Sequence, residues 1–182
     1  MSTLITEFET NAAHFSAVVV GGGHDPAAWA APSPCEGWSA IDVLDHVVDS
    51  QRSFLDKRGA DVGLRPTGSG PEVWATHLET VRKVTADEAF VAEEYDGHFG
   101  RTSIAETLAS FYGFDLLVHR WDLGRALGQE VTWGDAEMDR IEAGIDGFGA
   151  ALYSEGVCRP AIDVPDEAPR RTRVLARLGR RA

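Results

Sequence analysis

The chain has 182 residues, 43% apolar and 25% charged, enough to bury a core and too apolar for a disordered tail. Seventeen Lys and Arg against 29 Asp and Glu leave a net charge of −12, which repels a phosphate backbone, so no nucleic-acid partner is expected. Cys35 and Cys158 are too few for a disulfide framework, the acidic start MSTLITEFETNAAHF lacks the basic region of a signal peptide, and no run nears the roughly 18 apolar residues that span a bilayer; a cytoplasmic protein without membrane partners is the expectation.

Residues 3 to 20 carry Leu4, Phe8, Ala12, Phe15 and Val19 at spacings of three and four, which predicts an amphipathic first helix ended by Gly21 to Gly23. VVVGGG lacks the later glycine of a dinucleotide-binding turn, because Pro26 stands there. HDPAAWAAPSPCEGW, residues 24 to 38, reads as a loop. Ser39 and Asp42 have the spacing of a helix cap, so a second helix is predicted from Ser39 to Lys57. GADVGLRPTGSGP follows as a flexible connection, then a third helix from Glu72 to about Ala92. Thr102 or Ser103 caps a long fourth helix that ends at Gly128, and a fifth runs from Asp135 to about Tyr153.

After Glu167 there is no acid, while six arginines fall in the last thirteen residues, and the remainder of the chain carries −18. An amphipathic surface helix explains this, with Val174, Leu175 and Leu178 on its apolar face; an arm that binds an anion or partner is the alternative. With little alternating hydrophobicity and no second core, residues 1–182 are expected to form one all-α domain, a helical bundle with long crossovers and an additional C-terminal helix.

On the fourth helix Ile104, Leu108, Phe111, Asp115, His119 and Ala126 share a stripe, which turns Asp115 and His119 inward. A buried acid needs a neutralising partner, and a divalent metal or a simple Asp–His hydrogen bond serves equally. His46, on the second helix, lies to one side of its apolar stripe and is marginal by periodicity; His14, His24, His77 and His98 have weaker placements. Cys35, between prolines and the second helix, reads as a small packed side chain rather than a nucleophile. There is no GxSxG, HExxH or P-loop.

Two motifs then stand out together: SPCEGWSAIDVLDHVV, Ser33 to Val48, and DLLVHRWDLGRALGQ, Asp115 to Gln129. They resemble the metal-binding N-terminal domain of mycothiol-dependent maleylpyruvate isomerase, within the DinB-like superfamily of four-helix bundles. The resemblance extends loosely over nearly the whole chain, VPDEAP and LARLGR included. It implies a divalent metal, zinc first and nickel as the alternative, held by His46, Asp115 and His119. The isomerase has a glutamate where this chain has Asp115.

Two imidazoles and a carboxylate leave a coordination position open, as in catalytic sites. Asp122, three residues beyond His119, can orient that ring or bond a backbone N–H or Arg125. Asp42 fits a cap better than a similar role beside His46. Trp38 and Trp121 read as core or pocket-wall aromatics, and Arg120 as a surface ion-pair former. The resemblance further implies that the metal acidifies a low-molecular-weight thiol such as mycothiol, whose thiolate attacks an electrophilic carbon in S-transfer or cis–trans isomerisation. The isomerase's second domain is not expected here, so the expected function is a thiol-dependent transferase or isomerase with its substrate unassigned. The alternative is a non-catalytic metal-binding bundle in stress response or protein interaction. Partners are then a small thiol and an electrophile; the oligomeric state is open, a dimer included.

Overall fold

The structure, a computed structural model, describes residues 2–98, 100–154 and 157–181. Most of these are helical, and they divide into two compact units, 1–131 and 132–182. None of the helices among the described residues is long and apolar enough to cross a membrane.

In the first unit, α1 (Thr3–Gly21) starts where the Ser2 hydroxyl accepts the Ile5 N–H, and it buries Phe8, Ala12, Phe15 and Val19 as its periodicity predicts. Within the expected loop, Pro26 at the first helical position and Asp25 as cap nucleate the single turn α2 (Pro26–Trp29). Next comes α3 (Ala40–Lys57), then α4 (Gly70–Thr85), whose first turn is closed by Glu72 accepting from the Ser69 N–H and hydroxyl. The predicted third helix ends early because Asp87 accepts the Ala89 and Phe90 N–H groups and starts a separate turn, α5 (Glu88–Val91).

A two-stranded hairpin, β1 (Glu94–Gly97) and β2 (Gly100–Ser103), pairs Glu94 with Ser103 and Tyr95 with Thr102. Its strands are too short and polar to leave an alternating hydrophobic pattern. The predicted fourth helix is three segments: α6 (Ile104–Thr107), a π-helical turn over Leu108–Tyr112, and α7 (Gly113–Ala126). Because the π turn changes the rotation per residue, the predicted stripe slips there: Phe111 is 45% exposed, and its neighbour Tyr112 is buried. α7 packs against α1 and α3, and α4 packs against the same two helices. The core between them includes Phe8, Phe15, Leu44, Leu55, Leu116 and Trp121.

The second unit contains α8 (Asp135–Phe148), a 3₁₀ turn over Gly149–Tyr153 that closes the predicted fifth helix, and α9 (Arg170–Arg177). Arg170 bonds Asp139 and Glu142, both at 2.5 Å, and Arg177 pairs with Asp146. Of the arginines at the end of the chain, Arg170 and Arg177 are thus matched by acids on α8, while Arg173 bonds the Asp166 and Ala168 carbonyls.

Candidate metal centre

The N-terminus of α3 fixes the first component. Ser39 donates its N–H and its hydroxyl to the Asp42 carboxylate, at 2.8 and 2.5 Å, which closes the capping box and draws the Asp42 pKa down. Asp42 therefore has the capping role. Just before it, the Ser33 N–H bonds the Trp38 carbonyl, and Gly37 takes φ +76°, a left-handed conformation that glycine adopts without a Cβ penalty. This turn lays the Trp38 indole against two imidazoles, with ring centroids 5.0 Å from His46 and 6.1 Å from His119.

α7 supplies the rest. Asp115 and His119 sit one turn apart, and Asp115 Oδ1 lies 3.5 Å from His46 Nε2 and 3.3 Å from His119 Nε2. On the other side of the same ring, His119 Nδ1 lies 2.9 Å from Oδ2 of Asp122, whose side chain is fully buried. A neutral imidazole carries one N–H. If Nδ1–H is given to Asp122, Nε2 presents a lone pair to the Asp115 carboxylate, and two acceptors face each other unless a second proton or a cation lies between them. Burial opposes charge on both groups. Even so, the mutual attraction and hydrogen bonding of Asp115 and His119, with help from His46, hold the Asp115 carboxyl well below the usual range, and the His119 pKa is raised well above its ordinary value.

These donors fit a small divalent cation. In a tetrahedral site with ligand bonds of about 2.1 Å, neighbouring ligand atoms stand about 3.4 Å apart. The two Nε2–Oδ1 separations match that spacing. The ligand atoms of all three residues lie within 4.8 Å of one another, and Asp115 Oδ2 is buried with no hydrogen-bond partner among the described residues. An unpaired buried carboxylate oxygen is costly, and a cation beside it removes that cost. Cys35, His119 and Asp122 form a second cluster of the same compactness. Its polar atoms already satisfy one another, since the Cys35 thiol donates to Asp122 Oδ2 at 3.4 Å, the oxygen that also receives the His119 ring.

Sequence reasoning placed Cys35 as packing only, yet it bonds the carboxylate that orients His119. Its signal was the turn it shares with Trp38. Arg120 is buried rather than on the surface. An isolated amphipathic helix would have pointed it to solvent, but α7 is covered on nearly every side from Leu116 to Gly124. Trp121 is a core residue at 1% exposure. His77 is wholly buried against Gln51, with Nε2 2.9 Å from the amide oxygen. His14, His24 and His98 are exposed.

The match to known proteins falls on this geometry. The family described as mycothiol maleylpyruvate isomerase N-terminal domain matches residues 12–124. The chain belongs to that family. The matched residues of this mycothiol maleylpyruvate isomerase N-terminal domain include the Cys35–Trp38 turn, His46, Asp115, His119 and Asp122, and they end inside the first unit. The arginine-rich tail lies outside the match. Membership places the chain in the DinB-like superfamily and among metal-binding, mycothiol-related proteins. No curated protein and no solved structure matches the chain.

Proposed function

We propose that the chain is a divalent-metal protein with a DinB-like four-helix bundle, formed by α1, α3, α4 and the α6–α7 segment. We read it as a transferase or isomerase that uses a low-molecular-weight thiol such as mycothiol. The observation that carries this reading is the convergence of His46 Nε2, Asp115 Oδ1 and His119 Nε2, on a carboxylate whose other oxygen, Oδ2, is buried with no hydrogen-bond partner among the described residues. Zinc suits two imidazoles and one carboxylate, with nickel as the alternative.

Bound there, the cation supplies Lewis acidity that deprotonates a coordinated thiol at neutral pH. The protein's own groups prepare the position. Asp115 offsets the charge and faces both imidazoles; His46, half-buried at the edge of the bundle, leaves one side open to solvent and ligand. Asp122 fixes the ring plane and tautomer of His119. Trp38 packs against both imidazoles, tilted to His46 and stacked with His119. The reading rests on three protein ligands, which leave room for a thiol that a closed four-ligand site would not.

The test is thermal unfolding with and without mycothiol, on metal-loaded and on chelator-treated protein. A thiol-dependent rise in Tm confined to the metal-loaded form supports the proposal. Equal shifts in both forms contradict it. A metal-dependent Tm with no response to thiols would instead favour a non-catalytic metal-binding bundle.

A further inference from the structure

A row of side chains at i, i+4 spacing runs down α3 from the metal centre: His46, Ser50, Phe54 and Arg58. All four are half-buried, whereas the neighbouring row Val47, Gln51 and Leu55 is buried and the outer residues Asp49, Ser53 and Lys57 are exposed. The row therefore marks the boundary between core and solvent over about 18 Å, at 1.5 Å per residue. It is aromatic along its middle. The Tyr112 hydroxyl donates to the Ser50 carbonyl at 3.2 Å, Phe54 packs 5.2 Å from the Tyr112 ring and 6.1 Å from Tyr95, and Phe111 beside Tyr112 is 45% exposed.

Arg58 closes the row. Its guanidinium lies 4.1 Å from the centroid of the Tyr95 ring, which is itself fixed by a 2.6 Å hydrogen bond between the Tyr95 hydroxyl and Thr107. Arg58 Nε is buried without a hydrogen-bond partner, and Arg58 makes no ion pair among the described residues. This is unexpected in a chain with 29 acids to 17 bases. Arg65, Arg82 and Arg101 of the same unit each pair with carboxylates, and Arg52 is spent on three loop carbonyls. The C-terminal end of α3 favours a positive charge, but a helix dipole does not accept the Nε–H.

We infer that Phe54, Tyr95 and Arg58 form a binding subsite for an aromatic carboxylate, lying at the far end of the half-buried row that begins at His46. The rings supply stacking surface, and the guanidinium, 4.1 Å over Tyr95, offers its terminal N–H groups to the carboxylate. One guanidinium balances one negative charge, and the chain's net −12 disfavours polyanions such as phosphates. The subsite does not rest on the proposed function.

Binding of trans-cinnamate, followed by calorimetry on both metal-loaded and chelator-treated protein, tests the inference, with cinnamamide as the uncharged counterpart. Cinnamate is expected to saturate the wild type and to bind at least about tenfold more tightly than cinnamamide, with or without metal. Arg58→Gln is expected to abolish the preference for the acid, and Arg58→Lys to restore part of it. Phe54→Ala should weaken both compounds. Failure of cinnamate to saturate, equal affinity for acid and amide, or an unchanged preference in Arg58→Gln overturns the subsite. Loss of the metal reading alone leaves the chelator-treated measurements to decide.

Discussion

Asp122 Oδ2 lies 2.9 Å from His119 Nδ1, so the ring that faces Asp115 with one nitrogen is anchored through the other by a fully buried carboxylate. The pairing leaves Nε2 as the His119 nitrogen turned toward Asp115, and it links the Cys35 turn to the same cluster through a shared oxygen.

Removing that anchor should loosen the metal without dismantling the fold. Asp122→Asn is expected to weaken divalent-metal affinity by about 10- to 100-fold, read by competition against a chromophoric chelator. Far-UV circular dichroism should stay unchanged. Affinity equal to that of the wild type would show that the Asp122 contact is irrelevant to the ligand set.

His77 predicts a pH dependence away from the centre. Burial, with smaller contributions from Arg52 and Arg65 against an opposing one from Asp49, depresses its pKa to about 3. The unfolded chain takes up a proton near pH 6.5 that the folded state refuses, so the stability linked to His77 is complete above that pH and is lost as pH falls toward about 3. Between about pH 7 and about pH 5 the wild type should lose about 2 kcal/mol more than His77→Leu. Urea denaturation at the two pH values measures the difference; parallel losses would contradict it.

The cap that positions His46 has its own energetic consequence. Ser39→Ala removes the hydroxyl bonded to Asp42 and should cost about 1 kcal/mol in urea unfolding. A comparable loss is expected from Ser103→Ala, whose hydroxyl accepts the Glu106 N–H at the start of α6. No change in either variant would mean that these caps are already broken in solution.

The helix α7, which carries Asp115 and His119, also depends on a close approach. A Cβ on Gly124 would stand 2.3 Å from Val131 Cγ2. Gly124→Ala should therefore destabilise the protein by about 1 to 3 kcal/mol despite the higher helix propensity of alanine, and Gly124→Ala with Val131→Ala should recover part of the loss. Stabilisation by the single change would refute the contact.

Much of this architecture is legible in residue order because it rests on local physics. The α1 stripe, the Ser39–Asp42 cap and the glycine stop after α1 each follow from spacing and side-chain chemistry. The π turn was not legible: nothing in LASFY marks a change of rotation, so Phe111, expected on the inward stripe, is exposed while its neighbour Tyr112 is buried. Arg120 was misjudged for a related reason, since its burial is decided by helices packed from elsewhere. At the centre, the Asp115 and His119 spacing was visible on one helix. His46 was marginal by periodicity and was singled out by family resemblance, because joining it to Asp115 requires two helices far apart in sequence.

The central claim is most directly tested by the metal content of the purified, metal-loaded protein, measured by inductively coupled plasma mass spectrometry alongside His119→Ala. The account predicts about one divalent ion per chain in the wild type and almost none in the variant at equal folded content. Wild-type protein that holds no metal, or His119→Ala that holds as much as the wild type, would contradict it.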